Sequence, residues 1–242
     1  MWIKICANTS LEDAQLAVRA GANAVGFVFA PSPRRVTTAQ VAEITPHLPC
    51  TVEKFGVFGA VSFEEIVETV TGAGLTGAQL HGDVDMELAA KLRAHFNQLQ
   101  EAQKHPGRLG LVQVLHFQLD AKPADALMQL EAQLTALRQD QAVDAVLVDS
   151  RTATAGGGTG VSFDWQGARR SFFRAAPHLK LIAAGGLNAG NVREAILTLQ
   201  PWGVDVASGV EAAAGKKDPA KVEAFIREAR AAATLATQAS SA

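Results

Sequence analysis

The chain has 242 residues, 48% of them hydrophobic, and its 22 lysines and arginines against 24 aspartates and glutamates give a formal net charge of −2. This length can bury a full core, while a charge near zero excludes the strongly basic surface that nucleic acid or an anionic membrane would attract. Because only two cysteines occur and the first residues lack the apolar segment of a signal peptide, we expect a cytoplasmic protein without disulfides and with neither nucleic-acid nor membrane partners.

Short apolar runs alternate with amphipathic segments along the chain. The apolar runs predict eight strands, at residues 2–6, 24–29, 51–58, 77–80, 109–116, 142–148, 181–184 and 204–207. The amphipathic segments predict helices between and after them, from residue 11 to Gly21 and at 38–47, 62–71, 86–98, 124–137, 164–176, 192–199 and 218–233. Ser10 and Ser62 each precede an acidic residue by three positions, the spacing of a helix N-cap.

Strict alternation of strand and helix predicts a parallel sheet. Eight such units in one domain predict the closed (β/α)8 TIM barrel, which we assign to residues 1–233. The alternative is a doubly wound open sheet. Residues 234–242 are small and polar, and we expect them to fray as a C-terminal tail.

In a barrel of this kind, the reactive groups lie where the strands end at their carboxyl side. This rule selects the following polar candidates: Cys6, Arg34, Arg35, His81, Asp83 and Asp149. A thiolate at Cys6 could act as a base, and Asp149 could act as an acid if its pKa is raised. The plainer alternatives are that Cys6 only packs in the core and that Asp149 only caps a helix. Cys50 precedes the third strand, at the opposite end of the barrel, and is interpreted as a packing residue.

Two glycine turns follow the last two strands. Gly185 and Gly186 come after residues 181–184, and Ser208 and Gly209 come after residues 204–207. Glycine lets the backbone approach a ligand closely, and exposed N–H groups attract anions. Paired turns on the last two strands of a parallel barrel are typical of a phosphate site, although each glycine could serve only to close a tight turn.

Other signatures are incomplete. The glycines of residues 156–160 resemble a nucleotide loop, but Val161 stands where a P-loop has lysine, and the spacing does not complete a dinucleotide motif. The histidines and cysteines lack metal-ligand spacing. We therefore expect neither a metal nor any other cofactor.

Several blocks of the sequence are distinctive when they occur together and in this order. The chain opens with KICANTSLEDAQLAVRAGANAVGFVFAPSPRRV and continues through GAQLHGD, LVDS, GGTGVSFDW, AAGGLNAGNV and VDVASGVEAAAGKKD. Together these blocks resemble the phosphoribosylanthranilate isomerases, a family of tryptophan biosynthesis. Neighbouring phosphate barrels share the glycine turns, but they lack the KIC start combined with the SPR turn.

This resemblance implies an isomerase that carries out a cofactor-free Amadori rearrangement. The expected substrate is a phosphorylated small molecule, N-(5'-phosphoribosyl)anthranilate, and the product is 1-(2-carboxyphenylamino)-1-deoxyribulose 5-phosphate. By the same likeness, Asp149 is the general acid that opens the ring and Cys6 is the general base at C2'. Arg34 is expected to bind the anthranilate carboxylate. We also expect the helix N-termini at the barrel mouth to lower the pKa of Cys6.

The resemblance further implies a phosphate site and two supporting polar side chains. The residues expected at the phosphate are Gly158, Gly185, Gly186, Ser208 and Gly209. The supporting side chains are His81 and Asp205. The protein is expected to be a monomer or a homodimer.

The sequence departs from the family pattern at a few positions. Ala7 replaces a glycine directly after the expected base, so a left-handed backbone there would be strained. The SPR turn is one residue shorter than in many relatives, and we assign its carboxylate-binding role to Arg34 rather than Arg35. Two other functions stay open: a different phosphosugar enzyme, such as an indole-glycerol-phosphate synthase type, and a non-catalytic barrel that binds a phosphorylated ligand.

Overall fold

A computed structural model describes residues 1–118, 123–137, 141–151, 169–170, 172 and 178–240. Eight parallel strands form a closed barrel in chain order, with the last strand paired to the first. The strands are β1 (Trp2–Ile5), β2 (Ala24–Val28), β3 (Glu53–Phe58), β4 (Gly77–Leu80), β5 (Gly110–Gln118), β6 (Ala145–Arg151), β7 (Lys180–Ala184) and β8 (Gly203–Val206). The predicted (β/α)8 TIM barrel is therefore confirmed, and the open-sheet alternative is wrong.

The helices surround the barrel as the alternation predicts. Those described are α1 (Leu11–Ala20), α2 (Thr38–Ile44), α3 (Phe63–Gly72), α4 (Met86–Glu101), α5 (Pro123–Ala136), α6 (Val192–Leu199) and α7 (Pro219–Ser240). After β8, a short antiparallel hairpin is formed by β9 (Glu211–Ala213) and β10 (Lys216–Lys217). None of the described helices has both the length and the apolar character needed to cross a bilayer.

The predicted helix caps are present. The Ser10 hydroxyl accepts a hydrogen bond from the backbone N–H of Asp13, and Ser62 accepts one from the N–H of Glu65. Helix α1 stops at Gly21, which has a φ of 103°. These contacts satisfy N–H groups that the first turn of a helix leaves without intrahelical partners.

Three predicted boundaries are corrected. Helix α7 continues to Ser240, so it includes most of the segment that was assigned to the tail instead of ending at residue 233. The helix predicted at 38–47 ends at Ile44 and continues as a 3₁₀ turn that contains Pro46. Strand β6 extends through Asp149 instead of ending before it. The predicted loop at 152–162 and most of the helix predicted at 164–176 lie outside the described residues.

The amino-terminal end of the barrel is filled by aromatic side chains. Trp2 packs edge to face against Phe55 at 6.0 Å between ring centroids and stacks on Trp202 at 5.1 Å. Glycines on neighbouring strands make the room: a Cβ on Gly77 would lie 2.3 Å from the ring of Phe55, and one on Gly203 would lie 2.8 Å from the ring of Trp2. These aromatic side chains form the floor of the barrel. A ligand site is therefore expected at the opposite end, where the carboxyl ends of the strands lie.

Candidate active site

A cavity of about 460 Å³ opens at the carboxyl ends of the strands. It is lined by every predicted site residue that the structure describes, namely Cys6, Arg34, His81, Asp149, Gly185, Gly186, Asp205, Ser208 and Gly209. Gly158 lies outside the described residues. Two other candidates, Arg35 and Asp83, are exposed. The barrel thus brings together side chains from five strands or the turns that follow them.

A buried lysine lies beneath Cys6. Lys4 and Cys6 are two residues apart, so they lie on the same face of β1 and both point into the barrel. The Lys4 ammonium donates to Gln79 Oε1 at 2.8 Å and to Asp205 Oδ1 at 2.9 Å, and it lies close enough to Cys6 for the charges of the two groups to affect each other's pKa. On β2, a Cβ at Gly26 would lie 2.6 Å from Cys6 Sγ and 2.9 Å from Lys4 Cε. The glycine on the neighbouring strand therefore makes the space that this pair occupies.

The electrostatics of Cys6 differ from the prediction. Burial raises the pKa of the Cys6 thiol above its usual value, and the nearby carboxylate of Asp205 raises it further. Lys4 and Lys217 act in the opposite direction without outweighing these effects. The expectation of a lowered pKa is therefore wrong. Removing the thiolate from water costs more free energy than its attraction to the neighbouring cations contributes.

Lys4 keeps its charge in this setting. Burial alone lowers the pKa of Lys4, but attraction to Asp205 and Cys6 outweighs it and holds the pKa above the usual value. The Lys4 side chain is 1% exposed and that of Asp205 is 9% exposed. The Cys6 thiol consequently sits next to a fixed positive charge whose partner is a buried carboxylate.

Arg34 is held at the rim of the cavity by Glu211. Its Nε donates to the two carboxylate oxygens at 2.9 and 3.0 Å, and its Nη2 donates to Oε2 at 2.7 Å. Lys217 donates to Oε1 of the same carboxylate at 3.1 Å. Burial alone would raise the pKa of Glu211, but these two cations hold it below its usual value. Glu211 occupies one edge of the Arg34 guanidinium, and the Nη1–Nη2 edge can still take a second carboxylate.

The two glycine turns pack directly against each other. Gly185 and Gly186 have φ values of 85° and 64°, in the left-handed region that favours glycine. A Cβ on Gly209 would lie 1.9 Å from the carbonyl oxygen of Leu187, so no side chain fits there. These glycines close tight turns and also line the cavity. The two interpretations of the glycine turns, as turn closure and as part of a ligand site, are therefore compatible.

The residue after Cys6 is strained. Ala7 has a φ of 61° and is buried at the cavity wall. Side chains other than glycine pay a steric cost in this region. The sequence prediction that alanine would be strained at this position, if the backbone needs a positive φ, agrees with this geometry.

Several residues of the site were not predicted from the sequence. Lys4 stands inside an apolar strand and was not predicted as a site residue, although its spacing from Cys6 places both side chains on one face. Glu211 and Lys217 follow the second glycine turn, but nothing local pairs them with Arg34, which lies 177 residues from Glu211 along the chain. Cys50, interpreted as a packing residue, is exposed in the turn before β3, so that interpretation is wrong.

Comparisons with known proteins give a consistent result. The model of the family described as N-(5'phosphoribosyl)anthranilate (PRA) isomerase matches residues 3–116 and 124–228. The N-(5'-phosphoribosyl)anthranilate isomerase of Pelobacter propionicus is 38% identical over 229 residues, which cover 94% of this chain and 95% of that protein. The protein of the same name from Rubrobacter xylanophilus is also 38% identical, with coverage of 94% and 98%.

Solved structures agree with these relatives. The crystal structure of phosphoribosyl anthranilate isomerase from Thermotoga maritima has a TM-score of 0.78 at 32% identity and covers 96% of this chain and 99% of that chain. Another crystal structure of such an isomerase, in complex with reduced 1-(o-carboxyphenylamino)-1-deoxyribulose 5-phosphate, has a TM-score of 0.73 at 30% identity, with the same coverage.

We expect Ala7→Gly to stabilise the protein. Relief of the left-handed alanine returns about 1–2 kcal/mol, and the greater freedom of glycine in the unfolded chain offsets roughly 0.5–1 kcal/mol of it. Urea denaturation of the purified variant measures the difference. The matched control is Ala90→Gly, at an exposed position inside α4, which loses about 0.5–1 kcal/mol. Equal losses in both variants would contradict the strain at Ala7.

Proposed function

This chain belongs to the N-(5'-phosphoribosyl)anthranilate isomerase family, and we propose that it converts N-(5'-phosphoribosyl)anthranilate to 1-(2-carboxyphenylamino)-1-deoxyribulose 5-phosphate in tryptophan biosynthesis. The observation that carries the proposal is a single cavity with Cys6 on one wall, Asp149 on another, and Arg34 and two glycine turns at its rim. The reaction needs an acid, a base and two anion sites, and these groups provide the required chemistry.

The substrate has two anionic ends that suit different parts of the cavity. Its phosphate fits the turns at Gly186 and Gly209, where exposed backbone N–H groups can donate. Its anthranilate carboxylate fits the open edge of the Arg34 guanidinium. With Glu211 holding the other edge, the guanidinium is already oriented, so less side-chain freedom is lost when the carboxylate binds. With its two anionic ends bound in this way, the substrate would have its ribose between Cys6 and Asp149.

The chemistry proceeds in two proton transfers that involve side chains of the protein, followed by a tautomerisation. Asp149 donates a proton to the furanose ring oxygen, the C1'–O bond breaks, and the nitrogen lone pair forms an iminium at C1'. Cys6 thiolate then removes the proton from C2', and the electron pair neutralises the iminium to give an enolamine. Tautomerisation moves the enol proton to C1' and leaves the ketone at C2'. Asp149 has then lost one proton and Cys6 has gained one, and exchange with solvent restores both. Electrons move only within the substrate, so the reaction involves no external oxidant or reductant, and we propose that it proceeds without a cofactor.

The buried charges below Cys6 support its role as the base. A thiol with a raised pKa is a strong base once ionised, but only a minority is ionised near neutral pH. Lys4 and Lys217 lower the free energy of the thiolate and therefore increase the fraction of Cys6 that is ionised. We infer that Lys4 is a positioning residue, which acts on the reaction through Cys6, and that Asp205 serves mainly to hold Lys4 in place.

The alternatives have less support. A synthase of the indole-glycerol-phosphate type needs a lysine at the cavity, and the described lining residues include none; Lys4 is enclosed by Gln79, Asp205 and Cys6 beneath the surface. A non-catalytic barrel would leave the acid and the base without a purpose. We propose that the ligand is a phosphorylated small molecule and that the protein acts in the cytoplasm as a monomer or a homodimer. One Thermotoga maritima structure is described as monomers generated from a dimeric isomerase.

We expect Cys6→Ala and Asp149→Asn each to lower kcat by at least about 10²-fold, the usual scale for a general base or acid. The assay follows the loss of fluorescence of freshly generated phosphoribosylanthranilate. Cys6→Ser is expected to be nearly as inactive as Cys6→Ala, since a hydroxyl is hardly ionised near neutral pH. The control is Cys50→Ser, which changes the exposed cysteine and keeps full activity. If folded Cys6→Ala keeps most of its kcat, the thiol only packs and the mechanism is wrong.

We expect Arg34→Ala to raise KM roughly tenfold or more, because it removes a charge-assisted contact worth about 1.5–3 kcal/mol. Arg35→Ala is the matched control: it changes the adjacent arginine, which is exposed and does not line the cavity. Steady-state kinetics on the same substrate distinguish the two. A larger effect for Arg35→Ala would show that Arg35, and not Arg34, binds the anthranilate carboxylate.

The charges around Cys6 predict opposite effects for two substitutions. In a Cys50→Ser background, the rate of Cys6 alkylation by iodoacetamide should become half-maximal above about pH 8.5, the usual thiol pKa. Lys4→Met removes the cation and moves this midpoint to higher pH. Asp205→Asn removes the nearby carboxylate and moves it to lower pH. A downward shift in both variants would mean that the barrel had simply loosened, and Lys4 would lose its assigned role.

A further inference from the structure

The sequence shows no metal-ligand spacing, but the fold brings three side chains of metal-ligand type close together. His81 follows β4, His116 lies on β5 and Asp149 lies on β6, so three consecutive strands each bring one ligand-type side chain to the barrel mouth. One donor atom from each of the three side chains lies within 4.8 Å of the other two. The two imidazole centroids are 4.9 Å apart, with ring planes tilted by 58°.

The strands hold this cluster in register. His116 and Asp149 are partners across the β5–β6 ladder, and the backbone N–H of His81 donates to the carbonyl of Phe58 on β3 at 2.7 Å. All three side chains are half-buried, which gives an ion a route from solvent. Binding would draw the donor atoms from within 4.8 Å to about 3.3 Å of one another, a change that side-chain rotations can supply.

We propose that His81, His116 and Asp149 form a binding site for a divalent transition-metal ion, best suited to zinc, and that the bound ion inhibits the enzyme. Two imidazoles and one carboxylate are a donor set that zinc takes with a fourth position left open. Magnesium and calcium prefer oxygen ligands throughout and suit this cluster poorly. The ion bound here would not be a cofactor, because it would inhibit the reaction.

The inhibition follows from the role of Asp149, and this part rests on the proposed function. A carboxylate bound to zinc is deprotonated and cannot protonate the furanose oxygen. The ion would also occupy the side of the cavity where the ring oxygen has to reach Asp149. His116 does not line the cavity and carries none of the proposed acid, base or anion-binding roles, although it lies beside Asp149.

Isothermal titration calorimetry with zinc chloride tests the binding directly. The full-length protein carries Cys6→Ala and Cys50→Ser, so that thiols cannot take the ion. We expect one zinc ion per chain, no binding of magnesium, and an affinity at least about tenfold lower once His116→Gln is added. The matched control is His178→Gln, an exposed histidine before β7 at the opposite end of the barrel, which leaves the affinity unchanged.

A second measurement checks that His116→Gln acts through the metal and not through the fold. Zinc should raise the Tm of the thiol-free protein and leave that of its His116→Gln form unchanged, while the two forms melt alike without metal. Absence of zinc binding overturns the site. Equal affinity with and without His116→Gln also overturns it. So does zinc binding to wild type that is lost in the thiol-free protein, because the ion would then sit on a cysteine.

The isomerase assay tests the inhibition. Wild-type turnover should fall as buffered free zinc rises and return on addition of EDTA. His116→Gln, compared with its own rate without zinc, should need at least about tenfold more zinc for the same fractional loss. Zinc binding in the calorimeter without any effect on turnover overturns the inhibition. If the protein fails to turn over this substrate at all, the proposed function falls while calorimetry still decides the metal site.

Discussion

The ion pair between Lys4 and Asp205 is the contact on which the site depends. These residues are register partners on β1 and β8, so their 2.9 Å contact lies across the seam where the first and last strands close the barrel. Removing one partner of a buried pair typically costs about 3–5 kcal/mol, because a lone charge remains in the interior. The same pair places an ammonium against Cys6. One interaction thus bridges the seam where the barrel closes and also supplies the charge beside the proposed base.

A second charge network lies at the rim and has a different purpose. Arg34, Glu211 and Lys217 carry two positive charges and one negative, and Arg34 is the member of this network that lines the cavity. The pairing fixes the guanidinium, and its surplus charge favours an anionic ligand. The inner network tunes proton transfer, and the outer one favours binding. The β9–β10 hairpin supplies both Glu211 and Lys217, so this short addition to the barrel is part of the site.

The strand ends carry features that stability alone does not explain. Ala7 adopts a left-handed backbone, and Cys6 is held as a buried thiol beside a buried lysine. Such departures from local preference concentrate where function requires a fixed geometry. The aromatic floor at the other end serves packing, with Trp2 and Phe55 set against glycines. The left-handed residues at that end, Gln103 and Gln200, lie where α4 and α6 end, a place where this conformation is common. The barrel therefore separates a face for stability from a face for chemistry.

The sequence by itself determined the alternation of strands and helices, and with it the barrel and the strand ends at which Cys6, Arg34, Asp149 and the glycine turns lie. Periodicity and turn chemistry are local properties, so they can be read along the chain. Only the tertiary structure decided which charges meet, because Lys4 and Asp205 are 201 residues apart and their contact exists only once the barrel closes. It also decided the raised pKa of Cys6, since that value is a balance between burial and neighbouring charges that act in opposite directions.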